Sequence, residues 1–291
     1  MSLAVLVAPS FDEASRYSYE WSREIVNHLQ AKGFKVTDLS GRTVSRNEVE
    51  EALKQNPGAF LIFYNHGSED CLWGSRTEKV VDLENVWMLS GREVYTCACL
   101  SAKKLGVKAY AEDCTAYWGY TDVFAFTTEA LEEFKQFANI GIIIRIEGKS
   151  WLEAYEQAKA LAEKLAEKLV SEGKYFSAVL IRRDAEILAC YTEEHPPETK
   201  CLLRRIAVNL FGAKKGWKLG WNVIGSEAIH AAYGALTVIS GRVNPILPLT
   251  YLFSFLFYQY VDVEPFKEKL GDIIEYCVGL VATTIAAMLT L

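Results

Sequence analysis

Short apolar runs alternate with amphipathic stretches from residue 3 to about residue 192. Leu3 to Ala8 (LAVLVA) reads as a buried strand. Polar residues from Ser10 to Ser15 lead into a helix that ends near Lys32 and Gly33, where glycine is a natural stop. Phe34 to Leu39 alternates in part and predicts a second strand. Ser45 opens a shorter helix over Val49 to Lys54, closed by Asn56-Pro57-Gly58. Ala59 to Tyr64 and Glu93 to Thr96 are two further strands rich in β-branched and aromatic residues. This β-α-β-α-β order predicts an α/β domain of three layers with a mostly parallel central sheet.

The later pattern is less regular. Leu100 to Asp113 predicts a helix interrupted by Gly106, and Thr115 to Tyr120 a strand. Thr128 to Ala138 is amphipathic, while Ile140 to Arg145 fits either a strand or a buried helix end. Ser150 to Gly173 is the clearest helix, with a capping box at Ser150 and Glu153 and leucines at 161, 165 and 169. Ala178 to Ile181 and Glu186 to Ala189 predict a hairpin around Arg182 to Ala185. The Thr192 to Lys200 stretch, with His195-Pro196-Pro197, marks a boundary between domains 1–195 and 196–291.

Beyond that boundary the pattern changes. Val243 to Val261 and Tyr276 to Leu291 carry no formal charge. A spanning helix needs roughly 20 apolar residues. Segments 243–261 and 273–291 therefore fit a membrane hairpin, the alternative being a compact helical domain or an interface whose helices are buried by protein.

The chain has 291 residues and a net charge of -6, with no basic tract, which argues against nucleic acid as a partner. Its seven cysteines form no disulfide framework, which favours reduced thiols and a cytoplasmic setting. No signal peptide is expected from Met1-Ser2-Leu3.

The candidate chemistry lies where two strands end. One breaks at Asn65-His66-Gly67, the other at Cys97-Ala98-Cys99. In open α/β sheets, ligands sit beyond the carboxyl ends of strands. A thiol attacks a carbonyl only as thiolate, so it needs a base or cation such as His66. Gly67 and Cys99 are candidate backbone N–H donors for an oxyanion. The bland alternative is that Cys99 is a small packed residue at a strand end. Cys97 has the same two readings, as packing or as a redox modulator of Cys99. Zinc held by His66, Cys71, Cys97 and Cys99 is a further possibility, although Cys-x-Cys spacing is unusual for it. Asp122 and Asp113 are candidate acids for a pocket taking a basic side chain.

An apolar strand ending in His66-Gly67, then another ending in Ala98-Cys99, resembles the caspase-like cysteine peptidases, which include caspases, metacaspases, gingipains, legumains and clostripain. Ala116 to Tyr120 and the helix after Gly148-Lys149-Ser150 are similar to later parts of that fold. The resemblance spans about residues 3 to 192. It implies His66 as general base and acid, Cys99 as nucleophile, an oxyanion hole at Gly67 and Cys99, a protein or peptide substrate, and no cofactor. A non-catalytic scaffold or binding protein at a membrane is the alternative function.

Overall fold

Alternate residues of each central strand enter different cores. In β1 (Leu3–Ala8), Ala4, Leu6 and Ala8 pack on one face while Val5 and Val7 pack on the other. In β3 (Phe60–Tyr64), Ile62 and Tyr64 take the first face, Leu61 and Phe63 the second. The period of two sends successive side chains to opposite sides. Burial on both sides explains why these strands read as continuous apolar runs.

A computed structural model describes residues 2–198 together with Gly212 and Lys214. The chain divides into the units Met1–Pro197 and Glu198–Leu291. The expected apolar helical domain 196–291, including stretches 243–261 and 273–291, lies outside the described residues apart from its first few positions and two isolated ones. Among the described residues no helix is long and apolar enough to cross a membrane.

The first unit is α/β, with a six-stranded sheet in the order β2-β1-β3-β6-β7-β8. The remaining strands of that sheet are β2 (Lys35–Ser40), β6 (Glu93–Cys97), β7 (Ala116–Tyr120) and β8 (Leu188–Thr192). All neighbours pair in parallel except β7 and β8. One face is covered by α1 (Glu13–Ala31), α4 (Leu131–Ile146), α5 (Trp151–Ser171) and α6 (Tyr175–Glu186). The other is covered by α2 (Arg46–Gln55), α3 (Leu105–Ala111) and a small antiparallel hairpin of β4 (Cys71–Trp73) and β5 (Lys79–Asp82). Helices α1, α2 and α5 each begin with a capping box, Asp12/Ser15, Ser45/Glu48 and Ser150/Glu153.

Two local expectations change, and one open between strand and helix is decided. The predicted hairpin over 178–189 is the end of α6 followed by β8. Ala178, Ile181 and Ala185 are buried while Val179 is 60% exposed, which is helical spacing. A four-residue apolar run carries too little periodicity to tell the two apart. Residues 140–145 belong to α4, which runs unbroken through Gly141. The predicted helix over 100–113 is reduced to α3, because Leu100 has a positive φ of 59° and the chain turns there.

Topology fixes where a cleft can form. After β1 the chain crosses to the α1 face, whereas after β3 it crosses to the β4–β5 face. The carboxyl ends of β1 and β3 are therefore a switch point, where departing connections leave a crevice.

The α1-side core centres on stacked aromatics. Trp118 lies 5.3 Å from Tyr95 between ring centroids and 5.9 Å from Trp151. A Cβ on Gly141 would stand 2.5 Å from the Trp118 ring. Alanine in a helix gains about 1 kcal/mol over glycine, but overpacking a rigid core costs about 1–3 kcal/mol. Gly141→Ala should therefore destabilise the unit by about 1–2 kcal/mol, read as a lower urea midpoint.

Candidate active site

Asn65 stops β3 by turning its side chain onto the backbone. Its Oδ1 accepts the His66 N–H at 2.7 Å, and its Nδ2 donates to the Trp73 carbonyl at 3.3 Å. The Asn65 N–H donates to the Cys97 carbonyl at 3.3 Å, extending the β3–β6 ladder past its last pair. His66 and the end of β6 are thus held to one backbone frame.

The imidazole is oriented by Asp12, the N-cap residue of α1. His66 Nε2 lies 2.9 Å from Asp12 Oδ2. Asp12 Oδ1 accepts the Ser15 N–H at 2.8 Å, so one carboxylate caps a helix and fixes a histidine. Burial pushes the Asp12 carboxyl up, but the bonds from Ser15 and His66 outweigh it and the net direction is down. An ionised carboxylate only accepts, so Nε2 carries the proton and Nδ1 of neutral His66 holds the lone pair.

Cys99 follows β6 by two residues. Its thiol donates to the Phe124 carbonyl at 3.6 Å. Burial pushes the thiol pKa up, only partly opposed by the Phe124 contact, and the buried Asp184 carboxyl adds to the rise. The resting group is a thiol that must lose its proton to a base during any reaction. Leu100, directly after it, sits in the left-handed region that disfavours a side chain by roughly 1–2 kcal/mol. The conformation is held by Leu100 N–H to the Asp122 carbonyl at 3.0 Å and Lys103 N–H to the Leu100 carbonyl at 3.0 Å.

Gly67 lets the two turns approach. A Cβ there would lie 2.6 Å from the Cys99 carbonyl oxygen and 3.0 Å from Ala98 Cβ. Gly67 pairs with Leu72 as an antiparallel bridge whose two bonds, Trp73 N–H to His66 O and Ser68 N–H to Cys71 O, belong to flanking residues. In such a pair the central residue turns its own N–H away from the partner strand. The Gly67 N–H is therefore not used in that hairpin.

His66 and Cys99 both line one half-open cleft of about 80 Å³. Asn65, Cys97 and Ala98 form its floor at the ends of β3 and β6. Ala14, Ser15, Ser18 and Trp21 of α1 line one side, and Phe124 and Phe126, packed on Trp21, continue it. Cys97 is buried and its thiol is pushed far up by that burial, so it enters as packing.

The other candidates are not gathered there. Asp122 is exposed and outside the lining. Its carboxylate takes the Val123 N–H at 2.8 Å and Arg183 at 3.0 Å. Asp113 precedes β7, so it lies at the amino end of the parallel strands, across the sheet from Cys99. Its carbonyl accepts the Gly91 N–H there. The zinc set is not assembled. Among the described residues no three His, Cys, Asp or Glu side chains are grouped to hold a metal. Cys71 instead contacts the Ser68 hydroxyl at 3.0 Å.

Two site residues escape sequence reading. Asp12 leaves a trace, since Asp-x-x-Ser before a helix is a capping pattern, but its reach to His66 is not local. Asp184 falls in the stretch read as a hairpin turn, yet it is fully buried in α6. Its Oδ1 accepts the Ala125 N–H at 3.2 Å and Oδ2 has no partner. It thereby anchors the loop that carries Phe124 and Phe126. Burial pushes its carboxyl up to about 8.

Asp12→Asn keeps an acceptor for the Ser15 N–H but removes the charge facing the imidazole. Iodoacetamide alkylation of Cys99 should slow by about tenfold or more with an altered pH profile, while stability stays within about 0.5 kcal/mol. Asp12→Ala should also lose about 1 kcal/mol of stability with the cap. For Asp184, the unfolded carboxyl ionises near pH 3.9. Between that and about 8 the folded protein holds a proton that the unfolded chain lacks. The group's contribution to stability therefore falls as pH rises across this window, by at most about 1.4 kcal/mol per unit, and is flat above it. In urea unfolding at pH 5 and pH 8, Asp184→Asn should lose less stability between the two than the native chain does.

Compared with known proteins, this chain matches no protein-family model and no curated protein sequence.

Proposed function

We propose that the first unit is a caspase-like cysteine peptidase that hydrolyses peptide bonds through a Cys99/His66 dyad. The observation that carries this reading is the shared cleft. An imidazole with its Nε2 proton committed to Asp12 and a cysteine thiol border the same space, beyond the carboxyl ends of adjacent parallel strands. Strand order and the succession of histidine after β3 and cysteine after β6 support the caspase-like assignment of the fold.

In the reaction, the Cys99 proton passes to His66 Nδ1 as sulfur attacks the carbonyl carbon. The oxyanion takes the Gly67 and Cys99 N–H groups. Protonated His66, stabilised by Asp12, returns the proton to the departing amine, and the C–N bond breaks. Water then hydrolyses the thioester, releasing the carboxylate product and restoring the thiol. The substrate is a protein or peptide and the chemistry needs no cofactor. A cytoplasmic setting fits the free cysteines at 71, 97, 99 and 190. Attachment to a membrane through residues 243–261 and 273–291 rests on the sequence pattern alone.

A second reading has its own support. The Cys99 thiol is raised by burial and donates to the Phe124 carbonyl, which suits a non-catalytic scaffold with an inert cysteine. Peptidase activity predicts that Cys99→Ala and His66→Ala each lower kcat/KM on peptides by about 10³-fold or more with the fold retained. Equal turnover by native chain and both variants, or no labelling of Cys99 by electrophilic peptides, would favour the scaffold.

A further inference from the structure

We infer that the cleft beside Cys99 takes a small aliphatic side chain, that of alanine, valine or leucine, from the residue whose carbonyl the sulfur attacks. This inference rests on the peptidase reading and specifies its substrate class.

The first ground is the polar inventory of the cleft. Beyond His66 and Cys99, the Ser15, Ser18 and Asn65 side chains of the lining already have partners within the protein. The Ser15 hydroxyl donates to the Asp12 carbonyl at 3.0 Å and accepts the Phe11 and Asp12 N–H groups, both at 2.9 Å. The Ser18 hydroxyl donates to the Ser15 carbonyl at 3.0 Å. Both ends of the Asn65 amide are used. No Asp, Glu, Lys or Arg is among the lining residues. A charged substrate side chain entering this space would lose water without gaining a counter-ion, which is costly. The neighbouring carboxyl groups are engaged elsewhere, Asp122 by Arg183 at 3.0 Å. Asp12 holds His66, and Asp184 stands behind the loop, bonded to Ala125.

The second ground is the wall. Trp21, Phe124 and Phe126 form an aromatic surface, with Trp21 meeting Phe126 at 5.0 Å and Phe124 at 6.4 Å between centroids. Phe124 is fixed behind by Tyr120 at 4.9 Å and Phe137 at 6.4 Å. Such a wall attracts apolar groups and does not give way easily.

The third ground is size. A cavity of about 150 Å³ holds one benzene, or roughly 25 Å³ per carbon. At about 80 Å³, this cleft accommodates about three carbons. Isopropyl and isobutyl match that volume, whereas the far end of a benzyl or arginine side chain would extend through the open side and bury no further surface there. Each buried carbon should raise kcat/KM by about fourfold.

The test is cleavage-site sequencing by mass spectrometry on an unbiased peptide library. The full chain is compared with its Cys99→Ala variant, so that only Cys99-dependent cuts are counted. Cuts concentrated after valine, leucine and alanine are expected, with alanine about fourfold over glycine and valine and leucine about tenfold or more over glycine, phenylalanine, arginine, lysine and aspartate. Phe126→Ala, which widens the cleft, should move the preference towards leucine and phenylalanine. Cys99-dependent cuts chiefly after arginine, lysine, aspartate or phenylalanine in the native chain would overturn the inference and leave the peptidase reading standing. Absence of any Cys99-dependent cut would overturn both.

Discussion

The Cys99 carbonyl oxygen occupies the space where a side chain on residue 67 would begin. That steric constraint governs the site. Two turns at the ends of neighbouring strands approach closely only because one of them carries no Cβ. The approach puts the histidine turn against the cysteine turn, and the strand pairing below it sets the register. Asn65 extends the same frame by tying its own N–H to Cys97 and its side chain to the His66 backbone. The Leu100 conformation then turns the chain away from the cleft directly after Cys99.

Around this contact the fold supplies a wall and a charge. The connections after β1 and β7 lead to helices on one face of the sheet, while those after β3 and β6 lead to the other. A crevice therefore opens on the α1 side of the β3 and β6 ends. Asp12 links two stabilising tasks, because the carboxylate that caps α1 is the one that holds His66. Helix position and imidazole orientation are coupled through a single side chain. Asp184 plays a different part. It is a buried carboxyl whose ionisation the fold opposes, and it fastens the loop whose aromatic rings close the cleft.

Much of this was legible in the chain itself. The runs at Leu3–Ala8, Phe60–Tyr64 and Glu93–Cys97 announce strands because burial on both faces leaves no polar alternation. Capping at Ser45 and Ser150 is readable because it joins residues three apart. His66 and Cys99 stand out because each follows such a run. The stretch from 178 to 189 misled, since a short apolar segment has no period of its own and only packing against α5 makes its first part helical.

Local chemistry thus determined which segments are strands or helices, and that a histidine and a cysteine close two of them. Only the tertiary structure decided their company. It excluded Asp113 by putting it at the other end of the sheet, and occupied Asp122 with Arg183. It brought in Asp12, fifty-four positions from His66, and built an uncharged aromatic cleft from α1 and the loop after β7. The physical reason is that sheet order and crossover direction are set by how distant apolar faces pack, and no nearby residue encodes that choice.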